Sequence, residues 1–299
     1  MTADTIIKTE NLTRRFGQIT AVKDLNIEIK KGQVFGFLGP NGSGKTTTIA
    51  MLLKLIQPTK GKAYLFGQEL NADSLKRVGA IMDSPGFYPN YSGLDNLTLF
   101  GSLHRPADKK RVAEVLETVG LTDRARSKFK TYSMGMKQRL SIALALLDDP
   151  EFMIFDEPTN GMDPEGIAEI RSLITRLAKM GKTIFLASHL LAEVEQVCSH
   201  LAILKKGVVV RQGALKELLA QNGRGEIEVV TPDLGRSVEV LSQAGFNARI
   251  DGDKVVVSGR EDDAEKVSVL LVTNGLPIRE LRCTKSTLED VFMDATGKG

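Results

Sequence analysis

Gly39-Pro40-Asn41-Gly42-Ser43-Gly44-Lys45-Thr46 is a complete G-x-x-x-x-G-K-[ST] run, and its surroundings decide the fold. Gly39, Gly42 and Gly44 let the backbone curl until consecutive N–H groups face phosphate oxygens. Lys45 brings a positive charge to β- and γ-phosphates, and the Thr46 hydroxyl is a ligand of the kind Mg²⁺ takes. The preceding run, Val34 to Leu38, is apolar, as a parallel strand covered on both faces must be. Beyond the loop, Thr47 to Ile56 carries Ile49, Leu52, Leu53 and Ile56 at helical spacing, with Pro58 as the expected stop. Strand, glycine loop and helix in that order set a phosphate on a helix N-terminus. A glycine-rich surface turn would require neither flanking element.

The 299 residues suffice for one large or two medium domains. A content of 42% hydrophobic and 26% charged residues is that of an ordinary globular protein. The 40 basic and 37 acidic residues nearly cancel, so charge makes no case for a nucleic-acid partner. The longest apolar candidate, Ile142 to Phe155, is broken by Asp148, Asp149, Pro150 and Glu151, too early for a membrane span. Asp4 comes early, with no basic or apolar leader around it, so no secretory signal is expected. Cys198 and Cys283 fit neither a metal spacing nor a disulfide framework. Together these features point to a cytoplasmic protein.

Outward from the loop, residues 6 to 31 alternate apolar and polar and predict short strands. Gly61 to Phe66, Val78 to Met82, Phe152 to Phe155, Thr183 to Ala187 and Leu201 to Leu204 predict further strands. Between Asp83 and Leu147 the pattern turns helical, after a broken start at Pro85-Gly86-Phe87-Tyr88-Pro89. The expected fold class is therefore α/β, a parallel core in residues 5–222 interrupted by a helical insertion at about 84–147. A shift of composition at Asn222-Gly223-Arg224-Gly225 predicts a linker, followed by a small α+β domain at 225–299. Its expected elements are strands at Glu226–Val230, Lys254–Ser258 and Ile278–Arg282, and helices at Ser237–Ala244, Asp263–Thr273 and Leu288–Ala295.

Phe152-Met153-Ile154-Phe155-Asp156-Glu157 is an apolar strand ending in two acids. Ligands of a parallel sheet sit at the carboxyl ends of its strands, so these acids should emerge beside the phosphate loop. Asp156 would hold Mg²⁺ through water, and Glu157 would polarise the water that attacks a γ-phosphate. Alone, such an ending is more often a turn; paired with the upstream loop it becomes specific. Between them, Tyr132-Ser133-Met134-Gly135-Met136-Lys137-Gln138-Arg139 opens an apolar helix. A Ser and a Gly there offer a second anion site, although taken alone an ordinary N-cap is the better explanation.

With these stations in this order the chain resembles the ATP-binding cassette family over roughly residues 5 to 220. The resemblance implies a P-loop NTPase fold with a RecA-like parallel core and antiparallel-β and helical subdomains. Ser133 and Gly135 match the Ser and second Gly of the L-S-G-G-Q signature, while Tyr132, Met134 and Met136 depart from Leu, Gly and Gln. Asn160-Gly161-Met162-Asp163 resembles the loop that crosses the dimer interface, and His189 after Ser188 resembles the switch histidine at the γ-phosphate. Phe16 stands where the family keeps an aromatic stacked on adenine. His104 and His200 match no station. The implied ATP-binding set is Phe16, Gly39, Pro40, Asn41, Gly42, Ser43, Gly44, Lys45, Thr46, Thr47, Ser133, Gly135 and Asp163, with Mg²⁺ at Thr46 and Asp156.

Where the family usually has Gln after the strand ending at Met82, this chain has Asp83. Its carboxylate can serve Mg²⁺ and the attacking water, or it can merely turn the chain before Ser84-Pro85. The Pro-Gly-Phe-Tyr-Pro stretch, the departed signature and the ending Leu288-Glu289-Asp290-Val291-Phe292 are most similar to ATPase subunits of ABC-2-type exporters of the bacitracin and lantibiotic-immunity kinds. One loop and one signature per chain imply pairing with a second subunit, a copy of itself or a sister chain. A separate integral-membrane permease is implied as well, which would hold the protein peripherally on the inner face of the cell membrane. Phe87, Tyr88 and Tyr91 are candidates for the docking groove or, equally, for the core of the helical insertion. The alternative, a soluble ABC ATPase acting on nucleic acid or ribosomes, would bring paired cassettes, a coiled coil or zinc modules, and a P-loop GTPase would bring an N-K-x-D-like motif. The C-terminal domain is open to regulatory, dimer-stabilising or ligand-sensing roles.

Overall fold

The computed structural model describes residues 4–82, 86–103, 108–221, 225–259, 262–284 and 286–297, and the chain divides into two compact units between Gly213 and Ala214. The first unit opens with β1 (Thr5–Phe16), β2 (Ile19–Leu25) and β3 (Glu28–Lys30), then β4 (Val34–Leu38), the phosphate loop and α1 (Lys45–Leu52). Next come β5 (Lys60–Leu65), β6 (Gln68–Glu69), the short α2 (Ala72–Leu75) and β7 (Val78–Ile81). The helical insertion holds α3 (Gly93–Gly101), α4 (Lys109–Thr118) and α5 (Met134–Leu146). Thereafter β8 (Phe152–Asp156), α6 (Pro164–Lys179), β9 (Thr183–Ser188), α7 (Leu191–Val197), β10 (His200–Lys205) and β11 (Val208–Ala214) complete it.

The six-stranded sheet runs β11-β10-β4-β9-β8-β7, and β10, β4, β9, β8 and β7 are mutually parallel. Every residue of β4, β8 and β9 is buried, which is why these strands read as unbroken apolar runs. Phe35 and Phe37 of β4 both pack on Phe185 of β9, with ring centroids 6.0 and 5.0 Å apart. Ile49, Met51 and Leu52 of α1 join the same core as β1 to β3 and the central strands. Register aligns Leu38 with Ser188 and Asp156 with Ala187, so the phosphate loop, the two acids and His189 leave the sheet at one edge. A second sheet, β2-β1-β5-β6 with β3 also on β1, is the antiparallel layer.

The helix after the loop ends earlier than its spacing predicts. It stops at Leu52 because Lys54 takes a left-handed φ of +57°, with Leu55 N–H donating to Ala50 and Lys54 N–H to Met51. That is a Schellman termination, and the apolar Leu53 and Ile56 pack against the core from the loop that follows. In the insertion, α3, α4 and α5 are capped by Ser92, Asp108 and Ser133. Phe87 is 5% exposed and meets Phe100 and Phe129 edge-on, so it belongs to the core. Tyr88 and Tyr91 touch each other and are 51% and 49% exposed.

The second unit contains α8 (Leu215–Gln221), β12 (Glu226–Val230), α9 (Leu234–Gln243), β13 (Asn247–Asp251), β14 (Lys254–Ser258), α10 (Asp263–Thr273), β15 (Glu280–Thr284) and α11 (Leu288–Thr296). Its antiparallel sheet runs β13-β14-β12-β15, a split β-α-β arrangement. Ile227, Val229, Val255 and Val257 share a core with Leu241, Val267 and Leu271 of the helices. The Lys254–Glu228 ion pair links the adjacent β14 and β12, and Arg249 of β13 reaches across β14 to Glu226 of β12. Within this unit α8 packs with α11. The expected linker residues Asn222 to Arg224 lie outside the described residues.

Candidate functional site

Lys45 is only 5% exposed, and its Nζ donates to the Gly39 carbonyl at 2.7 Å. The loop is held from two sides. Gly207 N–H donates to the Ser43 carbonyl at 2.9 Å, and the Gly207 carbonyl accepts from Lys23 N–H of β2 at 2.8 Å. Among the described residues no protein acceptor takes the N–H of Gly42, Gly44, Lys45 or Thr46, the donors a phosphate requires. Gly44 caps α1 with φ +108°, and a Cβ there would stand 2.5 Å from the Ala21 carbonyl oxygen. Gly44→Ala therefore combines a disfavoured φ with a backbone collision, together about 2–3 kcal/mol. The expected result is a fall in Tm of roughly 4–12 °C and at least tenfold weaker ATP binding, read by calorimetry. An unchanged Tm would mean that the loop tolerates a side chain.

Thr46 Oγ1 donates to Asp156 Oδ2 at 2.8 Å. The other oxygen, Oδ1, is buried and has no hydrogen-bond partner among the described residues. Burial pushes the Asp156 carboxyl above the usual carboxylate range; the Thr46 hydrogen bond opposes this, the Glu157 charge adds to it, and Lys45 opposes it. A hydroxyl beside a buried carboxylate with an idle oxygen is a donor set of hard oxygens, and it fits Mg²⁺.

Glu157 is a non-glycine residue at φ +49°, a left-handed conformation that costs energy and here re-aims the chain at the strand end. Its N–H is tied to the Ala187 carbonyl at 2.9 Å. Its carboxylate has two partners. Oε1 lies 3.2 Å from Lys45 Nζ, a charge contact whose angle falls outside hydrogen-bond geometry, and Oε2 lies 2.8 Å from His189 Nδ1. An ionised carboxylate only accepts, so Nδ1 carries the proton in this contact. His189 N–H also donates to Oε2 at 3.3 Å. The structure thus brings Lys45, Thr46, Asp156, Glu157 and His189 together from three neighbouring strand ends.

The remaining candidates are spread around this centre. Phe16 ends β1, 45% exposed, and β2 beside it reaches the loop through Ala21. Ser133 Oγ accepts from Met136 N–H at 3.2 Å as the cap of α5. Gly135 needs no special φ, and a Cβ on it would meet only ordinary contacts, so nothing within the chain demands a glycine. Tyr132 is buried where the signature has Leu, and its hydroxyl donates to the Arg124 carbonyl at 2.7 Å, which makes the larger side chain acceptable. Asp163 caps α6 through Gly166 N–H at 3.0 Å. Asp83 lies outside the described residues. Among the described residues no hydrogen bond or ion pair joins Ser133, Gly135 or Asp163 to the phosphate loop. The roles of Ala21 and Gly207 escaped sequence reasoning, since backbone contacts leave no side-chain signal.

A family model described as ABC transporter matches residues 22–160. The chain is 40% identical to a bacitracin transport ATP-binding protein, BcrA, of Bacillus licheniformis, over 99% of this chain and 98% of that protein. Among solved structures, cbiO1 from Clostridium perfringens, part of the ABC transporter complex cbiONQ, superposes with a TM-score of 0.67 at 29% identity, covering 73% of this chain and 92% of that one. The dimeric post-hydrolysis state of the ATP-binding cassette MJ0796, bound to ADP and Pi, gives 0.62 at 28% identity, over 70% and 99% of the two chains.

Proposed function

This chain belongs to the ABC transporter family of ATP-binding proteins, and from that premise we propose the site chemistry, the partners and the cargo class that follow. The protein is the ATP-binding, ATP-hydrolysing subunit of a transporter, turning ATP and water into ADP and phosphate. The observation that carries the site assignment is the convergence of Lys45, Thr46, Asp156, Glu157 and His189 at one sheet edge. Lys45 and the free N–H groups of the loop bind the β- and γ-phosphates. Thr46 and Asp156 hold Mg²⁺, which when bound neutralises phosphate charge. Lys45 and His189 share the Glu157 carboxylate; a γ-phosphate draws both toward itself and leaves Glu157 to take the proton of the attacking water. Water oxygen then bonds to the γ-phosphorus as the bond to the β-phosphate oxygen breaks.

Ser133 and the side-chain-free Gly135 lie on the helical insertion and serve the ATP of a second copy of the chain, with Asp163 at that junction. Among the described residues no helix is long and apolar enough to cross a membrane, which supports a separate permease with this subunit docked at the inner face of the membrane. The exposed Tyr88 and Tyr91 are candidates for that contact. The bacitracin transport relative favours export of a drug, peptide or lipid-like molecule. Phosphate release from ATP by the purified chain, together with capture of a membrane permease on it from solubilised membranes, tests the reading. A chain that releases no phosphate either alone or with its captured partner would contradict it.

Asp83 acts after binding in this scheme, because Lys45 and the loop already hold the nucleotide. Asp83→Ala is expected to keep ATP affinity within a few-fold and to lower turnover at least about tenfold, a barrier change near 1.4 kcal/mol. Unchanged turnover in a folded variant would reduce Asp83 to a turn residue.

A further inference from the structure

The half-exposed ring of Phe16 has a cation beneath it. The guanidinium carbon of Arg14 sits 4.4 Å from the ring centroid, inside the range of a cation–π contact. Both residues lie at the end of β1, two positions apart, where its pairing with β2 shifts register between Arg14 and Arg15. Arg14 is fixed in turn: its Nη1 donates to the Gln57 carbonyl at 2.7 Å, and the adjoining Thr59 is bonded to β1 through the Thr13 carbonyl and Arg15 N–H. Among the described residues no carboxylate pairs with Arg14, and its Nε is buried without a hydrogen-bond partner. A half-buried guanidinium without a counter-ion is an expensive way to anchor one carbonyl. Its charge is spent on the ring instead.

We infer that Arg14 is a positioning residue for the nucleotide base, clamping Phe16 from behind so that the free face of the ring is presented to adenine. The inference rests on the reading that Phe16 stacks the base. Two effects act together. A ring held on one side gives up less rotamer freedom when a base arrives on the other. A cation on one face also draws π-density toward itself, leaving the opposite face better suited to the electron-rich adenine. Arg14 touches neither phosphate nor metal ligands, so its effect should be confined to the base.

Competition binding of ATP and of inorganic tripolyphosphate, each with Mg²⁺, separates base from phosphate recognition. Phe16→Ala should weaken ATP about tenfold and leave tripolyphosphate within twofold. Arg14→Ala should weaken ATP about three- to tenfold, again sparing tripolyphosphate, and Arg14→Lys should recover most of the loss. Arg14→Met keeps the aliphatic stem without the charge and should resemble Arg14→Ala. Equal losses for both ligands in Arg14→Ala and Arg14→Met would make Arg14 a structural tie to Gln57 and overturn the inference. An unchanged ATP affinity in those variants, with Phe16→Ala impaired, would overturn it too. If Phe16→Ala itself binds ATP normally, the stacking reading fails first and the role of Arg14 fails with it.

Discussion

Lys45→Ala is expected to weaken ATP binding by about 10²–10⁴ and to reduce hydrolysis to background. The ammonium is buried and is the only side-chain cation within the phosphate loop; its described partners are the Gly39 and Pro40 carbonyls and the Glu157 carboxylate. Removing one member of a buried charge pair typically costs about 3–5 kcal/mol, which corresponds to that range of affinity. The loss should be shared by ATP and ADP, because Lys45 reaches the β-phosphate as well as the γ. Titration of both nucleotides measures it. Undiminished hydrolysis in the variant would remove the phosphate-loop assignment and everything built on it.

Glu157→Gln should divide binding from chemistry. Glutamine keeps the shape and an acceptor oxygen for His189, yet a neutral amide does not take the proton of an attacking water. Loss of a general base costs about 10²–10⁴ in turnover. ATP affinity should hold or rise, because the carboxylate that lies 3.2 Å from Lys45 no longer competes with phosphate. Single-turnover hydrolysis alongside ATP binding reads both quantities. A variant that hydrolyses ATP within threefold of the original chain would mean that another group activates the water.

Much of the core was legible because its physics is local. Val34–Leu38, Phe152–Asp156 and Thr183–Ser188 are buried on both faces, and such strands must be written in continuous apolar residues. The acids at the end of β8 and the histidine after β9 were legible for the same reason, since strand ends in a parallel sheet share an edge. What escaped depends on distant partners. β13 is a polar edge strand, Asn247–Asp251, whose existence rests on pairing with β14 across the Gly252-Asp253 turn. β15 runs Glu280–Thr284, two residues later than Ile278–Arg282, because its ladder pairs Thr284 with Glu226 and Glu280 with Val230. No periodicity announces the left-handed backbone at Lys54 that ends α1, or the one at Glu157. The clamp of Arg14 on Phe16 needed coordinates, because a basic residue near an aromatic is common on any surface strand.

The central claim is that each ATP site is built from the phosphate loop of one chain and the Ser133–Gly135 segment of another. Light scattering of the Glu157→Gln protein on a sizing column, with bound nucleotide quantified in the peak, tests it most directly. With ATP and Mg²⁺ the protein should elute at about twice its 32.6 kDa mass with two ATP per dimer, and it should return to one chain when nucleotide is omitted. A species of 32.6 kDa saturated with ATP would contradict a site shared between two copies of this chain.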